Sequence, residues 1–158
     1  QGVQWLIEEV WPKVREKNSE VTLVLAGRNM PTSFKSDPST GIKVIGEIEN
    51  ATKFLMRNGI MTIPLLTGSG MRVKAVEGMS AGLPTVATEI GVSGLNLING
   101  EHALIANSPV EFANHILLFL ESPDIANKIA KFGQQHIKNK FSNKNIISDL
   151  VKFLKKLS

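Results

Sequence analysis

An α/β domain, with a parallel sheet and helices on both of its faces, is the fold class this sequence predicts. Two observations predict it. Short apolar runs closed by glycine or turn residues alternate with segments of helical periodicity through the middle of the chain. Those runs are continuously apolar, as in strands buried on both faces. At 158 residues the chain is long enough for one domain with a real core, so residues 1–158 are taken as a single unit.

The elements follow in order. Val3, Leu6, Ile7, Val10 and Val14 recur at helical spacing, which predicts an amphipathic helix over 2–17. Pro12 is expected to kink or tighten it. Val21–Gly27 is an apolar run too short for a helix and suited to a buried strand. "NMPTSFKSDPSTG" is polar and turn-rich, hence a loop, and Ile42–Gly46 is the next strand. Asn50–Asn58 forms a short helix with Asn50 as its cap. "GIMTIPLL" is a strand with Pro64 near its end, where a missing donor is tolerable.

Met71–Ala81 is helical and stops at Gly82-Leu83-Pro84. "PTVAT" and "HALIA" are further strands. Ser108-Pro109 opens a helix whose core stripe is Phe112, Ile116, Leu117 and Leu120. Ser122-Pro123-Asp124 repeats the device and opens a helix to Asn139. Ser142–Leu157 carries Ile146, Ile147, Leu150, Val151 and Leu154 on one face and several lysines beside them. That last helix fits a solvated basic face, a contact with another domain, or contact with an anionic membrane.

Composition narrows the function. There is no cysteine, so disulfides and thiolate metal sites are excluded. The net charge of +4 permits an anionic ligand without demanding nucleic acid. Tyrosine is absent and aromatics are few, so no stacking platform for single strands is expected. No apolar stretch reaches the roughly 18 residues of a membrane span. The chain starts at Gln1, already in a helical pattern, so a fragment of a longer protein is expected.

In open parallel sheets, ligands bind beyond the carboxyl ends of the strands. The loops to watch are Gly27–Asn29, Gly46–Glu49, Thr67–Arg72 and Thr88–Gly94. Thr67-Gly68-Ser69-Gly70 sits between a strand and a helix. Its glycines allow positive φ and close approach of a ligand. The outward N–H groups and the dipole of the following helix suit phosphate. Arg72 and Lys74 fall in the first turn, where cations oppose the dipole, so an anion would compensate them. Glu77 lies six residues beyond Met71, roughly 9 Å along the axis, within reach of a ribose if a phosphate rests on the tip. The same residues also fit a tight connection followed by a solvated Lys74–Glu77 pair. The spacing is neither that of a P-loop nor Gly-x-Gly-x-x-Gly.

Residues Pro64–Gly94, "PLLTGSGMRVKAVEGMSAGLPTVATEIGVSG", resemble the donor-binding motif of family 4 glycosyltransferases, which have the GT-B fold. "GVQWLIEEVWPKV", "LVLAGRNMP", "VIGEIEN" and "NGEHALIANSPVEFANHILLFLESPDIANKIAKFGQQ" are similar to other segments of that family's C-terminal domain. The resemblance implies a Rossmann-like sheet and the donor half of a two-domain, retaining enzyme that moves a sugar from a nucleotide to a glycan or lipid acceptor. It implies that Gly68, Ser69, Gly70, Met71, Arg72 and Val73 hold the diphosphate and sugar. It puts Glu77 on the ribose, Gly46-Glu47-Ile48 against the base, and Gly27-Arg28 near the phosphates. Arg72 and Lys74 would stabilise the leaving diphosphate.

The implied partners are a nucleotide-sugar donor and the chain's own N-terminal acceptor domain, with no metal or other cofactor. Nucleic acid is not expected as a partner. The implied location is cytoplasmic, at the inner face of a membrane. Two features depart from the family. Many members carry a second glutamate eight positions before the ribose-binding one, where this chain has Ser69. The family's domain also begins with a strand before its first helix, and this chain starts after it, which leaves one sheet position empty or filled by a neighbouring chain. A GT-B sugar-nucleotide epimerase and a non-catalytic interaction module stay open as alternatives. His102, His115 and His136 are scattered, and a turn-and-strand role is expected for His102.

Overall fold

The computed structural model describes residues 1–141 apart from Met56, Asn58, Ser69 and Met71. The helix expected over 142–157 lies outside the described residues. Three consecutive pieces make the first helical stretch: α1 (Gly2–Trp5), a π-helical turn (Leu6–Val10) and α2 (Trp11–Lys17). Strands β1 (Leu23–Ala26) and β2 (Ile42–Gly46) follow, then α3 (Ala51–Leu55), β3 (Met61–Ile63), α4 (Val73–Ser80) and β4 (Thr85–Ala87). A 3-10 turn (Ile90–Val92), β5 (Leu104–Ile105), α5 (Pro109–Glu121) and α6 (Pro123–Lys140) complete the order.

Every named strand pairing is parallel: β1 with β2, β3 with β4, and β4 with β5. Thr85, Val86 and Ala87 of β4 are all buried, because helices cover both faces of that strand. On one face Val86 and Leu104 join Leu6, Val10, Trp11, Val14, Phe112 and Ile116. On the other, Ile63 and Ala87 join Ala75, Met79, Leu95 and Ile137. The predicted α/β class is therefore the observed one.

Strand β2 departs from the expectation of burial on both faces. Ile42 is buried, but Lys43 and Ile45 are exposed. β2 is an edge strand of the two-stranded sheet β1-β2.

The strands form two sheets, β1-β2 and β3-β4-β5. Leu23 N–H donates to Gly41 and Gly27 N–H to Gly46, so the peptide groups of Val24 and Ala26 alternate away from β2. Met61 N–H donates to Pro84 and the Ile63 carbonyl accepts from Thr88, so Thr62 points its peptide groups away from β4. Leu23–Ala26, Met61 and Thr62 line one cavity of about 530 Å³, with Trp11, Ile116 and Leu120 also on its wall. The depth of this cavity is the gap between two strand edges that are unpaired among the described residues.

Local devices explain the element ends. Pro12 does not tighten the first helix. The chain widens ahead of it, with Trp11 N–H donating to the Leu6 carbonyl five residues back. A proline ring clashes with the carbonyl four residues earlier, and a wider turn relieves that contact. Asn50 Oδ1 accepts from Lys53 N–H at 2.8 Å, which caps α3 as expected. Ser108 Oγ accepts from Glu111 N–H at 3.3 Å and caps α5. Ser122 does not repeat the device, since its side chain makes no cap bond and its N–H ends α5 on Leu118. Gly82, at φ +80°, closes α4 with Leu83 N–H donating back to Gly78.

Trp11 is buried and donates Nε1–H to the Thr40 carbonyl at 2.7 Å, which ties α2 to the loop before β2. Trp5 meets Phe112 edge-on, with ring centroids 5.4 Å apart. No helix among the described residues is long and apolar enough to cross a membrane.

His102 has the expected turn role. Its Nδ1 accepts from Ile98 N–H at 3.0 Å, and its ring lies 4.3 Å from that of His136. His136 Nε2 in turn donates to the Leu95 carbonyl at 2.9 Å. Burial first, then the neighbouring His136, hold His102 below its ordinary pKa, against a smaller opposing pull from Glu101. His115 is also lowered, chiefly by burial. Above about pH 6.5 these rings are neutral in both folded and unfolded chains. Below it the unfolded chain binds protons first, so stability falls until pH passes the depressed folded values. We expect the melting midpoint to drop as pH falls from 7 through about 6, and His102→Gln to flatten part of that slope. A midpoint that is constant or rises over this range would contradict the lowered pKa of His102 and His115.

Candidate functional site

The loops after β1, β2, β3 and β4 are those that carry the residues singled out from the sequence. Gly27, Arg28, Ile48, Lys74 and Glu77 share the lining of the cavity described above. They form its polar mouth, and the apolar strand edges form its depth. Arg28 and Glu47 bridge the first two loops, with Nε and Nη2 each 2.8 Å from Glu47 Oε1. Both side chains are largely exposed, so the pair contributes little to stability and is easily exchanged for another partner.

Gly68, at φ +129°, and Gly70, at φ +87°, adopt the backbone for which the sequence reserves glycine. Ser69 and Met71 lie outside the described residues. Helix α4 begins at Val73, and Arg72 is its N-cap, at φ −89° and ψ 77°. This corrects the placement of Arg72 inside the first turn. It also shortens the separation of Glu77 from the helix start to four residues, roughly 6 Å in place of 9. Arg72 makes no side-chain cap bond to α4, and no acidic residue stands in the helix's first turn, so nothing there offsets the positive end of its dipole among the described residues. Val73 is exposed at the tip.

Lys74 Nζ lies 2.9 Å from Glu77 Oε2, so the alternative of an i,i+3 ion pair is the geometry found. One carboxylate oxygen is thereby engaged, and Oε1 appears in no contact with Lys74. Arg72 turns the other way. Its Nε–H donates to the Ile90 carbonyl at 2.9 Å. Its guanidinium passes Gly68 so closely that a Cβ there would meet Nη1 at 3.3 Å. Arg72, the glycine loop and the Ile90–Val92 turn thus form one unit.

The predicted residues fall into two groups joined by α4: Gly27, Arg28, Ile48, Lys74 and Glu77 at the cavity mouth, and Gly68, Gly70 and Arg72 at the helix tip. Sequence reasoning missed the partners that hold the cations. Glu47 and the Thr88–Gly91 turn lay within loops worth watching, but nothing local pairs them with Arg28 and Arg72. Among the described residues no group of three or more His, Asp or Glu could hold a metal ion.

Parallel strands, helices on both faces, and glycine- and cation-bearing loops at the strand ends define an α/β domain of the GT-B, Rossmann-like type. The family model for glycosyl transferases group 1 matches residues 1–122. The chain belongs to that family. It is 26% identical over 162 residues to a 44.6 kDa protein of the cps region of Klebsiella pneumoniae, covering 96% of this chain and 42% of that protein. It therefore spans less than half of that relative's length.

Among solved structures, it is similar to the C-terminal domain of a glycosyl transferase group 1 family protein from Francisella tularensis. That match has a TM-score of 0.75 and 20% identity over 90% of this chain and 80% of that one. It is also similar to a S. aureus TarM mutant in complex with UDP, with a TM-score of 0.81 and 16% identity over 95% of this chain and 32% of that one. At these identities the two structures establish the fold.

Proposed function

We propose that this chain is the donor-binding, C-terminal domain of a retaining family 4 glycosyltransferase, which takes a nucleoside diphosphate sugar and serves a glycan or lipid acceptor held by another domain. The observation that carries this reading is that α4 joins Arg28, Ile48, Lys74 and Glu77 of the cavity mouth to Gly68, Gly70 and Arg72 at its N-terminal end. The family membership supports it, as does the TarM relative with its UDP. The gap between β1 and β3 supports the further reading that a longer polypeptide supplies another strand.

The diphosphate would rest on the α4 N–H groups beside Gly68 and Gly70, with Arg72 and Lys74 balancing its charge. Glu77 would accept ribose hydroxyls through the oxygen that Lys74 does not occupy. Lys74 and Glu77 are exposed at 73% and 40%, so their pair is cheap to open. Ile48 would lie against the base. In the transfer, the bond from the sugar's anomeric carbon to the phosphate oxygen breaks. A bond to the acceptor oxygen forms, the acceptor loses a proton, and the diphosphate leaves with the electron pair. Cations at the helix tip lower the energy of that departing charge.

Calorimetric titration with UDP, GDP and ADP tests the proposal. One diphosphate is expected to bind, and Glu77→Ala to weaken it about tenfold, the scale of one or two hydrogen bonds, with the melting temperature unchanged. Absence of nucleotide binding, both in this chain and in a polypeptide that carries the acceptor domain, would sink the reading.

A further inference from the structure

We propose that Thr88 is a positioning residue for Arg72, acting through the turn that follows it; the inference rests on the donor-site reading above. Thr88 is 2% exposed, at the end of β4. Its hydroxyl has one proton to donate and lone pairs to accept. It donates to the Leu65 carbonyl and accepts from Gly91 N–H at 3.0 Å. Its own N–H donates to Ile63 at 3.1 Å. One side chain thus ties the segment leaving β3 to the start of the 3-10 turn.

The seat leaves no slack. A Cβ on Gly91 would stand 2.6 Å from the Ile63 carbonyl oxygen, so the turn lies directly on the end of β3. Ile90 sits between Thr88 and Gly91 and presents the carbonyl that accepts Arg72 Nε–H at 2.9 Å. The order of support is therefore Leu65, Thr88, Gly91, Ile90, Arg72. Leu65 also leads into the glycine loop, so the hydroxyl sets the position of the loop and of the cation beside it together. Planar guanidinium recognition of phosphate depends on such positioning. Removal of the hydroxyl would loosen a charge without removing it.

The test compares Thr88→Val, which keeps the shape, with Thr88→Ser, which keeps the hydroxyl. Affinity is read for the one of UDP, GDP and ADP that binds, and for its nucleoside. Thr88→Val is expected to weaken the diphosphate about tenfold and the nucleoside less than about twofold, and Thr88→Ser to restore the wild-type ratio. In an Arg72→Ala background Thr88→Val should add no further loss of diphosphate affinity, since coupled residues are not additive. Independently of ligand, hydrogen exchange at Arg72 Nε–Hε should quicken about tenfold in Thr88→Val and not in Thr88→Ser.

Equal losses for diphosphate and nucleoside, additivity with Arg72→Ala, or unchanged exchange at Arg72 would overturn the role of Thr88. A wild-type chain that binds no diphosphate would overturn the donor-site reading. In that case the exchange measurement still decides whether Thr88 holds Arg72.

Discussion

Replacement of Gly133 by alanine is expected to destabilise the protein by about 1–3 kcal/mol, the usual cost of overpacking. Helix propensity alone predicts the opposite sign, because glycine inside a helix costs about 1 kcal/mol relative to alanine. Gly133 is an interior residue of α6 and is buried. A Cβ there would stand 2.3 Å from the His102 carbonyl oxygen and 2.8 Å from the Met79 terminal methyl. Methionine can move, but the carbonyl belongs to the turn before β5, where Ile98 N–H donates to His102 Nδ1 and His102 N–H donates to the Ile98 carbonyl. The helix must then lift from the sheet end, and the His102–His136 contact opens with it. Urea unfolding of Gly133→Ala against wild type measures the sign, and a stabilised variant would show that α6 is not seated on that turn.

Arg72→Ala carries the other large expectation. Hydrogen bonds to charged groups contribute about 1.5–3 kcal/mol, or roughly 10- to 100-fold in affinity. Nucleoside diphosphate binding should weaken by that factor, and binding of the matching nucleoside by less than about threefold. Arg72 turns toward Gly68 and Ile90 and is absent from the cavity mouth that holds Ile48 and Glu77, so its loss should be felt at the phosphates and not at the base. Paired titrations with diphosphate and nucleoside decide it. Equal losses would place Arg72 away from the phosphates.

Much of the site was legible because its signals are local. Gly68 and Gly70 stand where positive φ is required, and the Gly82 stop is closed by bonds within a few residues. Asn50 and Ser108 cap helices three residues ahead of them. Lys74 and Glu77 are three apart on one helix, and both readings of that pair follow from the spacing alone. What was not legible crosses long stretches of chain. Glu47 meets Arg28 across 19 residues, Ile90 meets Arg72 across 18, and Thr88 meets Leu65 across 23. No periodicity or motif pairs such positions.

By itself, then, the amino-acid sequence determined the α/β class, the order of helices and strands, and the loops and cations gathered at the strand ends. Those follow from backbone conformational preference and from the apolar period of each segment, which neighbouring residues settle among themselves. Tertiary structure alone decided which carboxylate holds Arg28 and which carbonyl anchors Arg72. It also decided that β2 keeps an exposed face, that the edges of β1 and β3 face each other across a cavity without pairing to each other, and that Gly133 must be glycine for contact rather than for flexibility. Each of these depends on close packing between elements distant in the chain, where a tenth of a nanometre separates a hydrogen bond from a clash.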